Sequence, residues 1–458
     1  MRKKMILVTM MIFTVVLLAS CRRASSVALD WDVISDDLTI DTSEEVTITF
    51  WHTMSKTTNP ALGQQALLEV FIEEFEREYP HITVLHEQKG GYDELRNAVN
   101  TALPAGNEPS MVYSYPDHVS GYINSGLALP LNNLIYNKNS DIALSQEDID
   151  DFVDGYWSEG STYDNEGTIL NLPFVKSTEV LFYNKTFFEK NSLTVPSTWE
   201  EVKTVSKQIK EIDNTVTPIG YDSESNLFIT ASEQWGAPYT SINDDLEGQI
   251  DFVNDESKAM VAYFKDMYDK GYLTTKEMLG GDYTSNRFKA QSLMMSVGST
   301  GGTNYNIPDG GLFEVGVAPH PQYDENNQKV IQQGPNINLF YKDNVQEMIA
   351  AWLFLKYITD TDQTSRWAIA TGYSPVRKSA FDIVNNYYED KESLTVKQEV
   401  FKNVAQVAQA QIPYYFTSPA FDKSSKAREQ VGVLFVDVFN ENYTIDEAFD
   451  NAYEETVF

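Results

Sequence analysis

From residue 46 onward the chain alternates short apolar strands with amphipathic helices, and few folds accommodate that alternation. Val46-Thr47-Ile48-Thr49-Phe50-Trp51 is a run of β-branched and aromatic residues and reads as a strand. Residues 61–79 follow with Leu67, Val70, Phe71 and Phe75 on one helical face, and Pro80 stops the helix. Residues 82–85 give a second strand, 93–103 a second helix ended by Pro104, and 110–113 a third strand. Strands linked by helices of this length need crossover connections, which are right-handed and build a mainly parallel sheet flanked by helices. The predicted class is therefore α/β.

The middle of the chain changes register. Residues 169–174 and 180–183 are short apolar strands, and Thr198 is an N-cap for a helix opening at Trp199. Residues 258–270 are amphipathic and are followed by Gly271, a C-cap signal. A buried-type strand over 293–297 runs into Gly298-Ser299-Thr300-Gly301-Gly302. Beyond Tyr341 the pattern is helical over 345–358, 363–370, 396–408, 426–440 and 445–453. At 458 residues the chain exceeds one compact core, so two domains are expected. Composition marks no linker between them, which fits lobes that share the chain discontinuously.

Ahead of the first strand, Arg2, Lys3 and Lys4 precede an apolar run over 5–18 that ends in Leu18-Ala19-Ser20-Cys21. A basic start, an apolar stretch and small residues before a cut make a secretory leader. The run falls short of the about 20 apolar residues that a membrane span needs. Cys21 is the only cysteine, which excludes an intramolecular disulfide and any multi-cysteine metal site. The segment resembles the lipobox of bacterial lipoproteins. That resemblance implies a leader over 1–20, lipidation of Cys21, a polar tether over 21–45, and a place on the extracytoplasmic face of the membrane. A net charge of −33 argues against nucleic acid, whose affinity rests on neutralised phosphates.

Enzyme motifs are missing. The histidines are His52, His81, His86, His118 and His320, and none forms His-Glu-x-x-His or another metal spacing. No Gly-x-Ser-x-Gly elbow occurs, so no catalytic residue, metal or cofactor is expected. Gly298 to Gly302 offers backbone N–H groups to an anion but lacks the Gly-Lys-Ser/Thr of a nucleotide loop. With 67 acidic residues, a glycosidase pair leaves no mark in a carboxylate count. A secreted glycan-acting hydrolase and a surface adhesin are the alternative classes.

An ordered set of segments carries a wider resemblance. Ile48-Thr49-Phe50-Trp51-His52-Thr53-Met54, Lys89-Gly90-Gly91-Tyr92, Tyr122-Ile123-Asn124-Ser125-Gly126-Leu127, Val180-Leu181-Phe182-Tyr183-Asn184-Lys185, Pro196-Ser197-Thr198-Trp199-Glu200-Glu201 and Thr371-Gly372-Tyr373-Ser374-Pro375 follow one another as in family 1 extracellular solute-binding proteins, the receptors of ABC importers. The similarity covers nearly all of 46–458. It implies a two-lobed periplasmic-binding-protein-like fold of type II, each lobe a mainly parallel sheet flanked by helices, with three interlobe crossings near Pro173, Pro319 and 373–375. One lobe then holds 46–172 and 319–373, and the other 173–318 and 374–458. The resemblance further implies a monomer that closes on a small solute and hands it to permease subunits.

Within the family the chain looks most like the glycerol-phosphate and maltodextrin receptors. Position by position, Tyr92, Ser177, Ser299, Gly334 and Tyr373 match ligand-contacting positions, and Arg428 falls at the spacing of a phosphate-contacting arginine. Asp117, in Tyr115-Pro116-Asp117-His118, matches the sugar-binding aspartate of maltodextrin receptors. A tryptophan pair that flanks glycerol phosphate is replaced here by Ser225 and Phe228, and Trp235 offers another stacking face. These departures lean toward a neutral or glycosylated solute, with Asp117 accepting hydroxyl donors. A phosphate at Arg428 is the other reading.

Overall fold

The computed structural model describes residues 29–54, 56, 63–243 and 247–457. The leader and Cys21 lie outside the described residues. In chain order the strands of the first half are β1 (Val46–His52), β2 (Ile82–Gln88), β3 (Met111–Ser114), β4 (Asn171–Pro173), β5 (Ser177–Asn184), β6 (Thr217–Tyr221), β7 (Thr240–Ile242) and β8 (Gly248–Ile250). They continue as β9 (Leu273–Thr275), β10 (Leu293–Ser299), β11 (Val315–Pro319), β12 (Val330–Gln333), β13 (Asn336–Leu339) and β14 (Tyr415–Phe416).

Two sheets organise the molecule. The first has the order β2-β1-β3-β13-β4, with β1 parallel to β2 and β3, and β13 antiparallel to both of its neighbours. The second has the order β14-β12-β5-β10-β6-β9, with β11 also paired to β5. Here β5 runs against β10, β11 and β12, while β10, β6 and β9 are parallel. Each sheet is thus parallel apart from one reversed strand, and each reversed strand sits beside a point where the chain changes sheets.

Separate cores make these sheets into two lobes. Ile48, Phe50, Phe71, Phe75, Trp352 and Phe354 pack into the first, and Trp199, Phe228, Phe264 and Phe435 into the second. Each such side chain contributes about 1.5–3 kcal/mol on leaving water. The local rules that set the helices are visible in their caps. Thr198 and Glu201 form a reciprocal capping box at Trp199–Ile212, as Thr395 and Gln398 do at Val396–Gln411.

The chain leaves the first sheet after Pro173 and enters the second at Ser177. It returns through Gly334 and Pro335, between β12 and β13. It passes over once more after the helix Thr361–Thr371, where Ser374 N donates to the Lys176 carbonyl at 2.7 Å. The crossing expected near Pro319 is therefore misplaced. β11 and β12 both belong to the second sheet, so residues 319–333 stay in the second lobe. Both strands are short and flank a polar loop around Asp324, so their pairing to β5 left no periodic signal. The helix Lys378–Glu389 was also missed, although Ala380, Phe381, Val384 and Tyr388 give it a buried stripe.

Candidate functional site

The parallel strands of both sheets point their C-terminal ends at the space between the lobes, the place where open α/β sheets hold ligands. Two cavities lie there. One of about 520 Å³ is walled by Tyr92, Arg96, Tyr115 and Asp117 of the first lobe and by Ser225, Tyr239 and Arg428 of the second, with Gln333 and Gly334 at its base. The other, of about 670 Å³, is walled by Ser177, Asp222, Asn226, Ser299, Tyr305 and Tyr373. Tyr92, Tyr115, Gln333 and Arg428 line both, so the two are chambers of one cleft. Both volumes fall in the roughly 300–1,000 Å³ range of small-molecule sites.

Each wall residue is placed by its element. Tyr92 opens the helix Tyr92–Ala102, whose start is closed by Gly91 and Glu94, and its ring centroid lies 4.6 Å from that of Tyr115. Asp117 sits inside the 3-10 turn Pro116–His118, one residue short of the N-cap of the next helix, so its carboxylate is left to the cavity. Ser177 begins β5, and Ser299 ends β10, where its hydroxyl accepts from Gly301 N at 3.2 Å. A Cβ on Gly301 would stand 2.4 Å from the Tyr373 ring, so only glycine allows that ring to close the second chamber. Gly334 has φ +104° and passes Val175 so closely that a Cβ would lie 2.0 Å from the Val175 carbonyl oxygen. Its identity is thus fixed by the crossing itself as well as by its place at the cavity base.

Arg428 lies in the first turns of the helix Ser424–Phe439, and Ser424 and Ser425 line the first chamber with it. Its guanidinium donates to the Asn226 amide oxygen, a neutral partner. Among the described residues it forms no ion pair with a carboxylate, whereas neighbouring Lys426 pairs with Glu429 at 3.4 Å. A partly buried cation therefore faces both chambers. Asp117 has His118 Nε2 at 3.9 Å, and burial holds that imidazole below its ordinary pKa. Burial pushes the Asp222 carboxyl up to about 6, against hydrogen bonds from Thr284 N and Oγ1 at 3.0 Å each. Burial likewise raises the Tyr92, Tyr115 and Tyr373 hydroxyls, which remain neutral donors.

The structure brings Tyr92, Asp117, Ser177, Ser299, Gly334, Tyr373 and Arg428 to the cleft walls. Trp235 is not among them. It stacks on Tyr323 with centroids 3.9 Å apart and touches Phe264 of the second core. The N-terminal end of its helix, Glu224–Trp235, faces the cleft, and the nine helical steps from Asn226 to Trp235 carry the backbone about 13 Å along the axis, away from the cleft. Of the positions replacing the tryptophan pair, Ser225 lines the first chamber while Phe228 is fully buried in the core. Of Gly298 to Gly302, Ser299, Gly301 and Gly302 line the second chamber, and Gly301 N is spent on the Ser299 hydroxyl. The sequence reading missed Asn226, Gln333, Asp222, Tyr115 and Tyr305. One signal existed: Asp222 and Asn226 lie where a parallel strand gives way to a helix N-terminus, at the ligand-facing edge of such sheets. Among the described residues no cluster of ligating side chains fits a metal ion, and no helix is long and apolar enough to cross a membrane.

Comparison with known proteins identifies the family and the fold. The sequence profile of a bacterial extracellular solute-binding protein family matches residues 71–395. The sn-glycerol-3-phosphate-binding periplasmic protein UgpB of Escherichia coli (strain K12) is 26% identical over 361 residues, covering 75% of this chain and 77% of that protein. Among solved structures, UgpB from Mycobacterium tuberculosis in complex with glycerophosphocholine superposes with a TM-score of 0.71 at 20% identity, covering 90% of this chain and 97% of the other. The GacH receptor of Streptomyces glaucescens, studied unliganded and with acarbose, gives 0.70 at 19%, covering 90% and 98%.

Proposed function

Because the chain belongs to the bacterial extracellular solute-binding protein family, we propose that it is the receptor of an ABC importer and captures a polar solute of the sugar or glycerol-phosphate type between its lobes. The observation that carries the reading is Arg428, a cation that faces both chambers of the cleft and has no carboxylate partner among the described residues. A guanidinium in that position suits a phosphate or carboxylate fork. The uncapped N-terminus of its own helix adds a field of the same sign. The tyrosine-rich walls suit the C–H faces and hydroxyls of a polyol. A glycerol-phosphate or glycerophosphodiester solute therefore ranks first. Asp117 favours the second reading, a neutral sugar whose hydroxyls a carboxylate accepts. The binding step needs no chemistry on the solute, and the permease subunits are the partners that receive it.

Capture by this fold closes the lobes about their connections. Small-angle scattering is expected to give a smaller radius of gyration at saturating solute, with intrinsic tryptophan fluorescence changing in parallel. An unchanged profile with bound solute would show that the lobes do not move. Consumption of the solute would instead favour a hydrolase.

Anchoring is the second part of the proposal. Cys21 is the lipidated N-terminus, holding the receptor at the extracytoplasmic face of the membrane, but the expected tether over 21–45 is too long. Ile34 and Leu38 are buried in the first core and Trp31 Nε1 donates to Thr168 Oγ1 at 2.7 Å, so the part from Leu29 on packs against the first lobe. Cys21→Ala is expected to release the protein or to leave an uncleaved precursor. A Cys21→Ala chain that is still processed and lipid-labelled removes the anchor.

A further inference from the structure

Behind the cleft wall runs a buried polar chain that solute capture as described does not use. It starts at Glu179 on β5, a carboxyl 1% exposed. Glu179 Oε1 accepts from Asn226 Nδ2 at 2.8 Å, and Oε2 meets the Tyr221 hydroxyl. Asn226 exchanges two further hydrogen bonds with Gln333, both 2.9 Å, and its Oδ1 accepts from Arg428. The amide is thereby locked. Its N–H end is demanded by a carboxyl that accepts, and its oxygen by a guanidinium that only donates. Arg428 is aimed by an amide that Glu179 holds in place.

The geometry also counts protons. Tyr221 Oη lies 3.0 Å from His320 Nε2 as well as beside Glu179. His320 Nδ1 lies 2.7 Å from the Pro321 carbonyl and 3.2 Å from Gln234 Nε2. The two amide protons of Gln234 go to the Pro321 and Lys329 carbonyls at 3.1 and 2.9 Å, which leaves the ring proton on Nδ1 facing Pro321. Burial pushes His320 down to about 4, so its Nε2 is bare at neutral pH. Two contacts around the Tyr221 oxygen then need two protons, and the hydroxyl brings one. The second belongs on Glu179, whose carboxyl burial pushes up to about 7. The titratable and charged groups that face Glu179 are Tyr221 and Asp222 from β6 and its end, His320 from the segment after β11, and Arg428 from the helix Ser424–Phe439. Arg428 favours the carboxylate, Asp222 disfavours it, and burial outweighs both.

We propose that Glu179, acting through Asn226, is a positioning residue for Arg428, and that the proton it holds keeps the Arg428 charge available to an anionic group of the solute. The inference rests on the reading of Arg428 as the anion-contacting group. Loss of the proton puts a negative charge one amide away from the guanidinium, in a poorly screened interior, and offsets its field in the cleft. Binding of the anion and binding of the proton are then reciprocal. Affinity falls as pH rises through about 7, and capture takes up a proton in that range.

The test is calorimetry of the full-length protein with glycerophosphocholine, whose diester keeps one charge across the range, at pH 6 and pH 8 and in two buffers of different ionisation heat. Wild type is expected to lose affinity on the order of 5-fold or more toward pH 8 and to show buffer-dependent heat near pH 7. Glu179→Gln is expected to abolish both effects. Asp222→Asn is expected to keep both effects with the midpoint moved to lower pH, because it removes a negative charge that helps hold the Glu179 carboxyl up. A merely structural Glu179 would change stability but not proton uptake, so identical pH profiles in wild type and Glu179→Gln overturn the inference. If Arg428→Ala binds as wild type does, or if wild type binds no phosphate compound, the reading of Arg428 fails first and takes this inference with it.

Discussion

Lys176→Met is expected to lower the unfolding free energy by about 3–5 kcal/mol, the cost of leaving one member of a buried ion pair alone. Lys176 is fully buried and Glu159 6% exposed, and they form a direct ion pair. Glu159 also accepts from Asn336 Nδ2 at 2.8 Å and from Gln332 Nε2 at 3.4 Å. Lys176 Nζ donates to the Gly334 carbonyl at 3.1 Å, and its own carbonyl accepts from Ser374 N at 2.7 Å. One residue of the first crossing thus holds the second through its ammonium and the third through its backbone. Burial presses the ammonium below the usual lysine range, and Glu159 opposes that. Removing the cation leaves Glu159 buried among groups that cannot neutralise it. Glu159→Gln in the same background is expected to recover most of the loss, since it removes the buried charge while its one carbonyl oxygen still accepts from Asn336 Nδ2, and only the long Gln332 contact is given up. Urea unfolding of the single and double variants checks this. A single-variant loss below about 1 kcal/mol, the size of an exposed pair, would mean that water reaches the joint.

That joint illustrates what a sequence shows and hides. β1 and β2 and the helices beside them were legible because each has one buried face and repeats at its own period, and β3, buried on both faces, showed as a short apolar run. The capping signature at Thr198 was equally local. Ser177 was read from the sequence but its neighbour Lys176 was not, since nothing in the chain says that Glu159, Gly334 and Ser374 meet Lys176. β11 and β12 are too short to show a period, which is why the second crossing was set near Pro319. The cleft follows the same rule. Arg428 was reached through a family resemblance and its spacing, whereas Asn226 and Gln333 are 107 residues apart and pair only once the second lobe has folded. Trp235 was chosen for its ring, but helix phase and length send that ring to the core.

Arg428→Ala is expected to weaken capture of an anionic solute by about 2–5 kcal/mol, because truncation strips one partner from a desolvated charge pair. The loss belongs to the dissociation rate, since the contact forms after the lobes meet the solute. Asp117 is the counter-test. It shares the first chamber with Arg428, and near a bound phosphate its carboxylate is a penalty. For such a solute Asp117→Asn is neutral or tightens binding, and the affinity order is Asp117→Asn at or above wild type, then Arg428→Ala. For a neutral sugar the order inverts. The Asp117 carboxylate then accepts two hydroxyl donors, its loss leaves them unpaired in a closed cleft, and Arg428 becomes secondary. Calorimetry of both variants against sn-glycerol 3-phosphate, glycerophosphocholine and maltodextrins separates the cases. Tight maltodextrin binding that survives Arg428→Ala and collapses in Asp117→Asn overturns the anionic assignment. It would leave the Arg428–Asn226 contact as a brace of the second lobe, because a guanidinium held by a neutral amide beside a sugar has no charge to meet.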